Sequence, residues 1–385
     1  MGGTGDIARR TAQMPLQWGE DVVEWCDSHR GGVMTGCAGI HRRGRRGNGF
    51  ARVEAAAVGF VVVVGVALML AVSPSGRRAA MVNRDLANLR QIGAWTFAYG
   101  NDNEDLYPTL SSAPNSQWPK LHPTGQPLAD AAKHAIDIIR RRTGREDFPL
   151  PTSWIPHVSY SQLVLVDYLD RALPDSSFVS SGDVHRMHWL DDPVNKHDQG
   201  FWQPFQNPQG GSGPVPPEDK RWPYSSSYQS APALFDPGQS EWGTGLPVIT
   251  QGTTHHGYSV PGGVVLGGQN LSRIAFPAQK VLVYGYGSWY TSRRPQYYAV
   301  ESSAASTLMS DGGAAMRSTR SANPGWHPLR PASAISTLFN YAPDTWEPPT
   351  TNGSFGETVT GYYRWTRGGI KGRDFDGPEI DTGQR

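Results

Sequence analysis

Residues 42–81 read "RRGRRGNGFARVEAAAVGFVVVVGVALMLAVSPSGRRAAM". Ala55–Val72 is 18 residues without a charge or a strongly polar side chain. As a helix it would be roughly 27 Å long, close to the hydrocarbon thickness of a bilayer. The pattern predicts a transmembrane segment at about 55–72. Arg42, Arg43, Arg45 and Arg46 precede it, and Arg77 and Arg78 follow with Asp85. The stronger purely basic cluster is N-terminal, which places the N-terminus in the cytoplasm and the larger C-terminal part outside. A secretory signal peptide shares this polarity, but its apolar core is shorter, and "AVSPSG" is a weak cleavage site. Glu54 stands at the edge of the apolar run with Arg52 beside it. A carboxylate there is costly, and it points to function.

The order Gly49-Phe50-Ala51-Arg52-Val53-Glu54, abutting the apolar run, resembles the cleavage and N-methylation site of type IV prepilins and type II secretion pseudopilins. The resemblance implies cutting between Gly49 and Phe50 by a prepilin peptidase. It makes Phe50 the methylated N-terminus and Glu54 the fifth mature residue. Glu54 would then pair with the ammonium of a neighbouring subunit. An unpaired buried carboxylate costs several kcal/mol, so the acid penalises subunits added out of register. Arg52 and Ala51 depart from the family's apolar and hydroxyl residues. Residues 1–49 are read as the leader. Residues 1–33 hold three Arg and five acids, whereas 34–49 hold four Arg and no acid. Met34 is therefore the expected true start.

Beyond Pro74, Val82, Leu86, Leu89 and Gly93 recur at helical spacing, with Asn83, Arg84, Asp85 and Arg90 on the other face. The expectation is one helix over 50–100, its first half in lipid and its second half packed on a globular domain. "NLRQIG" (88–93) and "YGNDNEDLYP" (99–108) resemble a second signature, that of planctomycete-type pseudopilin-like proteins. Asp102, Asn103 and Asp105 have the look of a calcium loop but lack the turn glycine of an EF-hand, and read better as a helix end.

The chain of 385 residues carries a formal charge of +1, which gives no reason to expect a nucleic-acid partner. Its 45 Gly and 31 Pro, with only 38% hydrophobic residues, describe a loop-rich body. Cys26 and Cys37 precede the apolar run, so the main body holds neither a disulfide nor a thiolate site. Residues 101–385 are read as a periplasmic α+β domain. It has amphipathic helices at 127–142 and 161–171 and a strand at 280–286. A hairpin closed by Asp311-Gly312 is expected at 306–316, and a final hairpin at 361–375. In the resembled family a His often stands ten residues before that Asp. Here Glu301 does, so no role carries over.

The fold expected is α+β and pilin-like: a long N-terminal helix, membrane-spanning in its first half, packed on an antiparallel sheet with loop-rich insertions. The function implied is a non-enzymatic pseudopilin or type IV pilin-like subunit of a type II secretion or pilus-like filament. It would be a single-pass protein of the bacterial inner membrane with its C-terminal domain periplasmic or at the cell surface. The partners implied are prepilin peptidase, other pseudopilin subunits and inner-membrane lipid, with no cofactor and no nucleic acid. The alternatives are a membrane-anchored binding domain, for glycans, or a metal-dependent hydrolase on the same anchor. His185, His188 and Asp191, with Asp183, Asp192, His197 and Asp198 nearby, are the metal-ligand candidates. His255-His256 is a pair without a nearby carboxylate in sequence, and is discounted. No Walker loop, Gly-x-Ser-x-Gly elbow, His-Glu-x-x-His or dinucleotide fingerprint occurs. The tryptophans, including Trp189, Trp202, Trp222, Trp289, Trp326, Trp346 and Trp365, suit either core anchors or a carbohydrate-facing surface.

Overall fold

The computed structural model describes residues 49–70, 74–110, 126–148, 155–169, 173–196, 224–240, 246–252, 255–290, 293–344 and 346–379. The leader 1–48, including Met34, lies outside them, as do His197, Asp198, Trp202 and Trp222. The chain forms two units, residues 1–66 and 67–385.

The first correction concerns the long helix. Two helices stand where one was expected: α1 (Gly49–Leu70) and α2 (Pro74–Asp102). Proline lacks an N–H and clashes inside a helix, but suits a helix's first turn, and Pro74 opens α2 there. No helix among the described residues is long and apolar enough to cross a membrane. Helix α1 takes the charged Arg52 and Glu54 into its first turns, and the last two residues of the predicted run, 71–72, lie outside the described residues. The membrane-spanning half of the expected fold is overturned by this finding. The inner-membrane, single-pass location that rested on it falls as well.

The second unit is built on α2 and a four-stranded antiparallel sheet. Its strands are β1 (Tyr228–Ser230), β4 (Val281–Gly285), β7 (Ala304–Met309) and β8 (Ala314–Ser318), in the order β1-β4-β7-β8. Strands β5 (Gly287–Ser288) and β6 (Gln296–Tyr297) form a separate antiparallel pair. Helix α2 packs on β7 and β8. Its buried face is Asp85, Leu89, Ile92, Gly93, Thr96 and Gly100, a stripe at helical spacing. Asp85 was expected on the polar face. It is instead buried, because Ser180 Oγ donates to its Oδ2 at 2.6 Å and the Ser181 N–H donates to its Oδ1 at 3.1 Å. Gly93 is needed for close approach: a Cβ there would lie 3.1 Å from Leu308 of β7.

Alternation along β7 divides the sheet's two faces. Leu308 joins Leu89 and Ile92 in one core. Ala305 and Met309 join an aromatic core with Tyr284, Tyr286, Tyr297, Tyr341 and Tyr363. The hairpin expected at Asp311-Gly312 forms between β7 and β8. Gly312 adopts φ +87°, and the Gly313 N–H donates to the Asp311 carboxylate at 2.8 Å.

Helix α3 (Pro127–Thr143) also forms as expected and ends on Gly144 at φ +70°. Residues Ser161–Tyr168 are a 3-10 helix in place of an α-helix. The final hairpin is displaced. It is β9 (Leu338–Tyr341) paired with β10 (Glu357–Thr360), while 361–375 runs in turns with one short 3-10 helix, Gly369–Lys371. Gly368 and Gly369, both at positive φ, break the alternation there.

Candidate metal centre

Gly49 opens α1, and Glu54 lies exposed further along it. The expected metal cluster does not converge. Helix α4 (Val184–Asp191) carries His185, His188 and Asp191 into solvent, and the one ion-pair distance among them is 3.8 Å, between His188 and Asp191. Asp183 turns inward. Its carboxylate accepts from Arg186 Nη1 at 2.7 Å and from Ser227 Oγ at 2.8 Å, and caps the Arg186 N–H at the start of α4. The turn after α2 is likewise committed: Tyr168 donates to Asp102 at 2.9 Å, and Asp105 accepts from the Ser272 N–H at 2.9 Å. These acids secure loops.

The convergence lies elsewhere. Strands β2 (Thr250–Gln251) and β3 (Tyr258–Ser259) form a short antiparallel pair, held by the Gly252 N–H on Gly257 O at 2.8 Å. His255 and His256 sit between them, with rings 3.9 Å apart. Glu347 follows β9 in a turn where the Asp344 N–H donates to its Oε2 at 2.7 Å. Its carboxylate meets both imidazoles. His255 Nε2 lies 2.9 Å from Oε2, and His256 Nε2 lies 2.6 Å from Oε1. Tyr286 donates to Oε1. Among the described residues this is the one group of three His, Cys, Asp or Glu able to hold a metal ion.

Aromatic rings wall the group. His255 packs edge-on to Tyr341 at 4.8 Å, and His256 stacks with Tyr286 at 6.2 Å and with Trp346 at 6.1 Å. Arg364 donates to the His255 carbonyl at 2.8 Å. Burial pushes the His255 imidazole down to about 4 against the pull of Glu347, so its ring is neutral at neutral pH. Burial alone would raise the Glu347 carboxyl, but the two imidazoles reverse this and hold it below the usual carboxylate range. The result is an ionised, fully buried carboxylate facing two imidazoles, a donor set suited to a borderline divalent cation.

The sequence concealed this site. The two histidines are adjacent, but Glu347 is 92 residues beyond His255, and only the packing of β9 beside the β2–β3 turn unites them. The tryptophans settle differently from a carbohydrate surface: Trp189, Trp326, Trp346 and Trp365 are buried and Trp289 is half-buried.

The comparisons with known proteins place no relative beside this site: no protein-family model, no curated protein and no solved structure matches the chain.

Proposed function

We propose that the chain is a non-enzymatic, structural subunit of the pilin-like class, of the type II secretion pseudopilin kind. In this reading a prepilin peptidase cuts between Gly49 and Phe50, and the mature chain joins sister subunits through α1. Glu54 pairs there with the new ammonium of a neighbour's Phe50, so that the charge is neutralised only in register.

The observation that carries the reading is the packing of α2 on the antiparallel sheet. Helix α2, the second helix after the processing motif begins, packs on strands β7 and β8, with Gly93 against Leu308. Those strands are closed by the Asp311-Gly312 turn. The buried stripe of α2 includes Leu89, Ile92 and Gly93 of the "NLRQIG" signature. Motif and fold thus support the same reading from separate directions.

Site-specific crosslinking between chains tests it. Wild type carrying a cysteine on α1 is expected to form covalent multimers in cells that supply the peptidase. Glu54→Gln is expected to reduce them to background while the domain beyond α2 stays folded. Equal multimers in both would contradict the role given to Glu54.

A further inference from the structure

Glu347 completes, with His255 and His256, a group of three metal-ligand side chains. It is fully buried as a side chain, and its ion-pair partners among the described residues are His255 and His256. The candidate ligand atoms of His255, His256 and Glu347 all lie within 4.8 Å of one another. As a hydrogen bond, the His255 contact requires that ring to carry its proton on Nε2. The same carboxylate also takes the Tyr286 hydroxyl and the Asp344 N–H.

We infer that His255 Nε2, His256 Nε2 and the Glu347 carboxylate bind a divalent cation of the zinc class. Two imidazole nitrogens and a carboxylate oxygen are the donors that zinc takes, with bonds of about 2.0–2.2 Å. Calcium and magnesium prefer all-oxygen sets. The ion settles between the donors when the imidazole–carboxylate separations open by a few tenths of an ångström. Tyr286, Trp346 and Tyr341 form the dry shell that strengthens such bonds. His256, at 23% exposure, gives the ion its route in from solvent.

The ion's role is a staple. It ties the β2–β3 turn to the segment after β9 through His255, His256 and Glu347. Binding free energy at such a site is folding free energy. The inference is independent of the pilin-like reading, since it concerns the stability of the second unit alone.

The test uses the untagged full-length chain, purified without added metal. Elemental analysis is expected to find stoichiometric zinc. A chelator is expected to remove it and lower Tm by several degrees, and added zinc to restore Tm. Cobalt substituted for zinc is expected to give the visible bands of a low-coordinate site. His256→Gln, at a half-buried position, is expected to keep its near-UV circular dichroism yet lose zinc, cobalt bands and chelator response. His185→Gln with His188→Gln is expected to lose none of them. The inference is overturned if folded wild type retains no zinc and zinc added after chelation leaves Tm unchanged. It is equally overturned if His256→Gln binds like wild type, or if the His185/His188 variant is the one that loses the metal.

Discussion

Asp85 of α2 and Ser180, 95 residues apart in the chain, are joined by a buried hydrogen bond of 2.6 Å from the serine hydroxyl to the carboxylate. Tyr290 donates to Ser180 or accepts from it at 3.0 Å, so three segments meet at one acid. Burial raises the Asp85 carboxyl, and the hydrogen bonds from Ser180 and the Ser181 N–H oppose that rise. The contact fixes where α2 sits on the domain. Asp85→Leu is expected to destabilise the domain by about 1–3 kcal/mol, the cost of leaving buried donors unmade. Urea unfolding of the two chains checks this, and an unchanged midpoint would show that the acid does not anchor the helix.

Lys280 and Asp374 form a second buried contact. Lys280 Nζ stands 2.9 Å from Asp374 Oδ2, with Thr366 alongside, and neither charged side chain reaches solvent to any extent. Removing one partner strands the other's charge. Lys280→Met is expected to cost about 3–5 kcal/mol, and Lys280→Met with Asp374→Leu markedly less. A double-mutant cycle by chemical denaturation measures the difference, and additive losses would refute the pairing.

His157 makes stability depend on pH. It is buried against Phe235, ring to ring at 4.6 Å, and burial lowers its imidazole to about 3. The unfolded ring takes up its proton near 6.5. Between those values the unfolded chain binds more protons, so lowering the pH through this window favours unfolding. His157→Phe removes that contribution. The stability of wild type relative to the variant is expected to fall by at most about 1.4 kcal/mol per pH unit from pH 6.5 down towards 3. Paired denaturation curves at pH 7 and pH 4.5 would show it. A constant difference would mean that the folded ring protonates normally.

Gly93 lets α2 approach β7. A large side chain there meets Leu308, whose Cδ1 would lie 3.1 Å from the first added carbon. Gly93→Leu is expected to cost about 1–3 kcal/mol through overpacking. Gly93→Ala is expected to be close to neutral, since the gain of up to about 1 kcal/mol in helix propensity offsets a contact that Leu308 can relieve. Thermal unfolding of the two variants separates these cases.

The sequence made legible whatever depends on neighbours in the chain. The amphipathic pattern of 127–142 and the Asp-Gly hairpin are local signals that became the expected elements, and the periodicity of Leu89 and Gly93 likewise marks α2. Asp85 misled because a buried, fully bonded acid carries the same letter as a solvated one. The aromatic run at 361–375 resembled a hairpin, but positive φ at Gly368 and Gly369 turns it into coil, and β9 finds β10 instead. The apolar run was read as a membrane span from its length, and the described helices include none long and apolar enough to cross a membrane. The metal centre was invisible for a different reason. Its carboxylate comes from a loop 92 residues past the histidine pair, and no spacing rule links them. His185, His188 and Asp191 looked stronger because they are close in sequence, yet an exposed helix holds their side chains in solvent.

The central claim is that this chain is a processed, pilin-like subunit, and the mass of the mature N-terminus in the native cell tests it most directly. Mass spectrometry of the N-terminal peptide is predicted to find a chain beginning at Phe50 with a methyl group on its amine. A mature chain that retains residues before Gly49, or one that begins near Ser75, would contradict the account.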